Sequence, residues 1–580
     1  MEAPRKEPAT RPLDPLSGLA SQQGVQLHKR TMNSNDRRFF LRGLAGIAGL
    51  ATQARAQPGE NRRPPTGLNP RRETAFRIRQ EAALFECHQP AATSVSNGDE
   101  TSLPNYITSF TKGLPHTQLG EVEPGTYQTL LYALSTGKQS DFESLDRGSG
   151  MKFVNPQAAF SYQLEGADSH RLGTPPAPAF SSANAAAEMV ELYWQALARD
   201  VPFANYGTSP ITQAAAQDLN RLSAFQGPLV GGKVTTGTLF GGNVRGTLTG
   251  PYLSQFLWQP VPVNSTIVDQ RYRAGAPGID YLATYPEWLV LQTGVPPFRA
   301  WTPDPTPKYI YSGRALAEWV HYDFLYQAFH NAALILLNQS PETVLNVNPY
   351  LNPTSPYKTT KVETGFATFG APHICCLLGA ACQDALKAAW YQKWSIHRRL
   401  RPEEFGGRVH QTKVGAANYP IHADLMNSTA LPAVFAANGS YLLPQAFAEG
   451  CPLHPSYPAG HATVAGACSV MLKAFFDETQ LVTDTVQASS DGLSLTPFNG
   501  GALTVGGEVN KLAFNVAMGR NFGGIHYRSD AEVGFRLGED VAIAMLQDLV
   551  LTFTEDFAGF QFTRLDGTPV TISKSSADLF

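Results

Sequence analysis

Three stretches in the second half of the chain collect side chains that could hold a tetrahedral oxyanion. They are Lys393-Trp-Ser-Ile-His-Arg-Arg-Leu-Arg401-Pro402, then His454-Pro-Ser-Tyr-Pro-Ala-Gly460-His461, then Arg520-Asn-Phe-Gly-Gly-Ile-His526-Tyr-Arg-Ser-Asp530. Lys393, Arg401 and Arg520 supply three fixed cations. Guanidinium forks match oxyanion geometry in a way an ammonium group alone does not. Gly460 follows Pro458 and opens an apolar-periodic run, so its N–H stands at a helix N-terminus, where backbone donors and the helix dipole favour an anion. His461 falls on the first turn of that helix. His526 and Asp530 are four residues apart, on one predicted helical face. A carboxylate there can hold the imidazole in one tautomer, leaving the other ring nitrogen free to attack phosphorus or to bind a metal. Pro402 disfavours helical geometry at Arg401 and turns it off the preceding helix end, toward the site.

Taken singly, each piece has a plainer reading. Arg398, Arg399 and Arg401 form a solvated basic face, and His526 is a core histidine. The three stretches in this order, with a Gly-His helix start between them, favour the site.

Hydrophobic periodicity predicts the helices that must position these residues, over 71–86, 182–199, 316–338, 374–399, 460–478, 509–519 and 529–553. Residues 229–251 alternate Thr and Val with Gly pairs and read as a hairpin or two. Residues 479–508 read as a loop insertion. The Asn- and Pro-rich break near 330–360 is the candidate boundary between an N-terminal helical region, 57–340, and a catalytic helical-bundle region, 341–580; a loop inside one domain is the alternative.

Composition narrows the function. The 580 residues are 43% hydrophobic with a formal net charge of -3, which gives no electrostatic case for a nucleic-acid partner. No membrane span is expected, because the most apolar long run, 371–390, is interrupted by Pro372, Gln383, Asp384 and Lys387. Residues 1–56 read as an extension carrying an export signal: Arg37-Arg38, a short apolar run from Gly43, and Ala54-x-Ala56 as the cleavage site. The implied location is periplasmic or secreted, reached by the twin-arginine route. The six cysteines have no Cys-x-x-Cys spacing, and their pairing stays open.

The order Lys-x7-Arg-Pro, Pro-x-Gly-His, Arg-x5-His-x3-Asp resembles the vanadium-dependent haloperoxidases and, more distantly, the type 2 phosphatidic acid phosphatases. The seven-residue gap between Lys393 and Arg401 and the His454-Pro-Ser-Tyr-Pro lead-in resemble the algal and cyanobacterial bromoperoxidase branch. The resemblance implies a vanadate cofactor with His526 as the metal ligand, and Lys393, Arg401, Gly460 and Arg520 around its oxygens. It implies His461 as the acid/base group, assisted by His454, with Asp530 and residue 459 one layer out. His454 stands where chloroperoxidases carry an aromatic residue, which points to bromide or iodide. The implied partners are hydrogen peroxide, halide and small organic substrates, in a homo-oligomer of unspecified size. One departure is Ala459, where most of the family has serine; the lost hydroxyl would have bonded a cofactor oxygen. The expected fold is mainly α: helical bundles, with two four-helix-bundle-like cores and a few short β-hairpins.

Two other readings stay open at this point. Vanadate and phosphate are isosteric, so the same residues suit an acid phosphatase with His526 as nucleophile. A non-catalytic exported protein could also keep the fold, and Ala459 is the one feature that favours it.

Overall fold

The computed structural model describes residues 68–146, 150–263, 265–337 and 352–574. The helices that bear on the site are α1 (Leu68–His88), α2 (Ala183–Leu197), α3 (Gly313–Trp319), α4 (Gln327–Leu337), α5 (Ala371–Trp390), α6 (Pro402–Lys413), α7 (Gly460–Phe475), α8 (Val505–Phe522) and α9 (Arg528–Val550). Four two-stranded antiparallel pairs accompany them: Val261–Val263 with Thr266–Val268, Leu481–Val482 with Leu503–Thr504, Val486–Ala488 with Leu495–Pro497, and Phe560–Thr563 with Pro569–Ile572. The chain is mainly α, as its periodicity predicts.

Helix α7 is the axis of the fold. Every residue from Gly460 to Phe475 is buried, and the helix packs against α5, α8 and α9. Glycine sets how close α9 comes: a Cβ on Gly538 would lie 1.8 Å from the Thr463 carbonyl oxygen, and one on Gly466 would lie 2.2 Å from that of Phe535. One continuous apolar cluster draws on both halves of the chain, from Tyr193 and Trp258 to Met471, Phe522 and Leu546. Ser182 starts α2, its hydroxyl accepting from the Ala185 N–H at 3.1 Å.

Three expectations need correction. The apolar pattern over 316–338 continues without a break, yet the chain leaves the helix after Trp319 and re-enters at Gln327. Tertiary contacts decide this: the Val320 carbonyl accepts from Arg520, and Asp323 turns in to His461. Residues 229–251 form no strands; they hold one isolated bridge, Val230 with Lys233, around Gly231 and Gly232 at positive φ, and coil so that Leu239 and Phe240 enter the core. Residues 479–508 are not a plain loop, since two of the strand pairs lie there.

Among the described residues no helix is long and apolar enough to cross a membrane. All six cysteines are unpaired. The export signal (1–56) and the expected boundary at 340/341 fall outside the described residues.

Candidate functional site

Helix α5 passes into a π-helical turn, Tyr391–His397, which ends at Arg398 with φ 40. The wider turn carries Lys393 inward, fully buried. Its ammonium donates to the carbonyls of Pro455 and Ser456, both at 2.7 Å. Arg401 then leaves helical geometry (φ -81, ψ 157) as the N-cap of α6, the effect expected of Pro402. Its N–H donates to Glu404 Oε2 at 2.7 Å.

The Arg401 guanidinium gathers two histidines. Nη1 donates to His526 Nε2 at 2.9 Å and to the Ile525 carbonyl at 2.8 Å; Nη2 donates to His454 Nδ1 at 2.9 Å; Nε donates to the His454 carbonyl at 2.8 Å. On its other side, His526 Nδ1 meets Asp530 Oδ2 at 2.8 Å. Nδ1 therefore carries the proton and Nε2 presents a lone pair. His526 precedes α9, so the pair does not share a helical face. Asp530 sits in the first turn and reaches back, also accepting from the Tyr527 N–H at 3.2 Å and from the Ser456 hydroxyl.

Gly460 is the first residue of α7, behind Ala459 as N-cap with no side-chain cap. A Cβ at Gly460 would lie 3.2 Å from the Trp390 ring, so the absent side chain lets the start of α7 pack closely on Trp390. Trp390 forms a wall. The His454 ring lies 4.7 Å from it and Lys393 Nζ 5.9 Å above it. His461 Nε2 donates to Asp323 Oδ1 at 2.8 Å. Arg520 ends α8 and donates to the Val320 carbonyl, while its buried Nε and Asp323 Oδ2 have no protein partner.

Charge explains the protonation states. Burial, then Arg401 and Arg520, push the Lys393 ammonium well below its ordinary range, with Asp530 opposing. Burial lowers Arg401 and brings Arg520 down to about 10. Burial, then Arg401 and Lys393, hold His526 and His454 well below the usual imidazole range, so both are neutral. Burial also lowers His461, though Asp323 pulls it back up.

Hydrogen bonds join Arg401 to His454 and His526, and His526 to Asp530, while the charges of Lys393 and Arg520 and the His461 imidazole are close enough to act on His526. Ala459 joins this group by its backbone, donating to the Asp530 carbonyl at 2.9 Å. Sequence reasoning missed Asp323, Trp390 and Ser456. Asp323 lay inside what read as an unbroken helix. Trp390 and Ser456 had only their closeness to Lys393 and His454 to mark them. Arg398 and Arg399 are not a solvated face: Arg398 pairs with Glu100 at 2.6 Å, and Arg399 pairs with Glu188 and Asp530 at 2.9 Å each.

The VCPO second helical-bundle domain family matches residues 373–554, which contain every site residue named from the sequence. The vanadium-dependent bromoperoxidase of Ascophyllum nodosum is 36% identical over 531 residues, covering 88% of this chain and 93% of its own. That of Corallina officinalis is 33% identical over 607 residues, covering 88% and 100%. The homohexameric second vanadate-dependent bromoperoxidase (AnII) from Ascophyllum nodosum superposes with a TM-score of 0.82 at 29% identity, covering 91% of this chain and 96% of its own. With relatives of this identity along most of its length, the chain belongs to the vanadium-dependent haloperoxidase family, beside the algal bromoperoxidases.

Proposed function

We propose that this chain holds vanadate at His526 and oxidises bromide or iodide with hydrogen peroxide, giving hypohalous acid that halogenates small organic molecules. One observation carries the reading. The side-chain hydrogen bonds of buried Lys393, Arg401 and Arg520 run to carbonyl oxygens and imidazole nitrogens, none to a carboxylate among the described residues. Three cations so desolvated call for an anion.

The residues fit vanadate on that ground and on two more. His526 Nε2 is unprotonated, and Arg401 Nη1 is the donor that a metal at that lone pair would displace. Arg520 Nε has a hydrogen to give and no protein acceptor. Lys393, Arg401, Arg520 and the Gly460 N–H would hold the oxygens, and His526 Nε2 the metal. Vanadate so held supplies Lewis acidity that activates peroxide toward halide. The protein's part is preorganised charge and proton handling. His461 Nε2 is committed to Asp323, so Nδ1 is the nitrogen that would take the proton of peroxide and give it back. Neutral His454, held by Arg401 against Trp390, lines the approach for a soft, polarisable halide.

The chain works as a homo-oligomer; the homohexameric neighbour supports this. It is exported by the twin-arginine route, a reading supported by Arg37-Arg38 and Ala54-x-Ala56. N-terminal sequencing of the protein recovered outside the cytoplasm would begin at Gln57.

Bromination by wild type and His526→Ala, each supplied with orthovanadate, tests the catalytic reading. Loss of at least 100-fold in the variant with an unchanged melting temperature is the expected result. Full activity in the variant would overturn the assignment.

A further inference from the structure

Arg399 has no part in holding an oxyanion, yet it is buried beside the residues that do. Its Nη1 donates to Asp530 Oδ1 and to the Ser529 hydroxyl, both at 2.9 Å, and its Nη2 donates to Glu188 Oε2 at 2.9 Å. Its guanidinium carbon stacks 3.7 Å from the Tyr527 ring centre. Glu188, on α2, uses its other oxygen to accept the Ser529 N–H at 2.6 Å. Side-chain exposures of Arg399, Glu188 and Asp530 are 4%, 5% and 0%.

The two oxygens of Asp530 are served unequally. Oδ2 accepts from His526 Nδ1, the Ser456 hydroxyl and the Tyr527 N–H. Among the described residues Oδ1 accepts from Arg399 alone. Without that bond the carboxylate could turn about its Cβ–Cγ axis and carry Oδ2 away from the imidazole. Arg399 is in turn fixed on two further sides, by Glu188 and by Tyr527. Burial works against the Arg399 charge, and Glu188 and Asp530 more than offset it. A planar fork that donates to two carboxylates while stacked on a ring is a geometry lysine cannot copy.

We propose that Glu188 and Arg399 are positioning residues for oxyanion binding: the chain Glu188–Arg399–Asp530–His526 locks the orientation of the imidazole from a helix in the N-terminal half of the protein. This rests on His526 as the oxyanion-binding histidine. Partners at this remove from a ligand typically change affinity by 10–100-fold. The link also explains the buried glutamate at 188, as the Arg528 pair explains its neighbour Glu191 on the same helix.

The test is calorimetric titration of the full-length chain with orthovanadate and with inorganic phosphate, in wild type, Arg399→Lys, Glu188→Gln and His526→Ala. A second readout is the proton resonance of His526 Nδ1–H, assigned by its loss in His526→Ala. Arg399→Lys is expected to weaken both anions by about 10-fold or more, with Glu188→Gln moving the same way by less. The Nδ1–H resonance should shift in both. Arg399→Lys keeps the charge and removes the planar fork, so a loss there reads geometry and not charge. If both variants fold, bind both anions within twofold of wild type and leave the resonance in place, the residues only support the fold and the proposal is overturned. If Arg399→Lys does not fold, Glu188→Gln decides by the same readouts. If wild type and His526→Ala bind vanadate equally, the His526 reading itself fails, and this proposal with it.

Discussion

His526 donates from Nδ1 to Asp530 Oδ2 at 2.8 Å, and this bond makes Nε2 the acceptor that meets Arg401 at 2.9 Å. Replacing Asp530 by Asn removes the charge that favours the Nδ1–H tautomer. Orthovanadate affinity of Asp530→Asn should fall by about 10–100-fold in equilibrium titration. An unchanged affinity would mean that the surrounding cations fix the tautomer without help.

His461 and Asp323 divide proton handling from its adjustment. Asp323 raises the His461 pKa against burial. In Asp323→Asn that support is lost, the His461 pKa falls further, and the acid limb of the kcat/KM profile moves to lower pH. His461→Ala should lower kcat by about 10²–10⁴-fold while binding vanadate. A limb that stays in place in Asp323→Asn would assign it to another group.

Ala459 is buried at the N-cap of α7 and offers no side-chain oxygen. In Ala459→Ser the hydroxyl has two possible acceptor or donor partners, a bound oxyanion or the N–H groups of the first helical turn. A bond to a charged group is worth about 1.5–3 kcal/mol, so vanadate should bind roughly 10-fold tighter or more. A rise in melting temperature worth about 1 kcal/mol, with unchanged vanadate affinity, would place the hydroxyl on the helix instead.

The apo protein should lose stability as pH falls from near 6.5. His397 is buried beside Arg398 and Arg399, and burial, then these arginines, hold it down to about 3. Between those values the unfolded chain binds a proton that the folded chain does not, so stability rises with pH and is lost on acidification. The slope is about 1.4 kcal/mol per pH unit for each such group. Thermal melts from pH 7 to 4 should steepen accordingly, and His397→Gln should flatten them by about one proton. An unaltered slope in the variant would show that His397 takes up its proton while folded.

Much of this was legible in the chain. The three cations, the Gly-His helix start and the His526–Asp530 pair are local signals, and several are fixed by a neighbour in sequence: Pro402 for Arg401, Pro458 for Gly460, the start of α9 for Asp530. What could not be read depends on distant contacts. Asp323 enters the site because Arg520, two hundred residues on, takes the Val320 carbonyl and ends α3 there. Arg399 looked solvated because its partner Glu188 lies on α2, two hundred and eleven residues earlier in the chain. Periodicity registers a helix face; it does not register the one carbonyl that a remote guanidinium withdraws.

The most direct measurement is bromide oxidation by hydrogen peroxide with purified apo protein, titrated with orthovanadate and competed with phosphate, alongside hydrolysis of a phosphate monoester. Halogenation that appears only with vanadate and is suppressed by phosphate is the expected result, since both anions need the same three cations and His526. Absence of halogenation at saturating vanadate, with ester hydrolysis that vanadate inhibits, would contradict it and make His526 the nucleophile of a phosphatase.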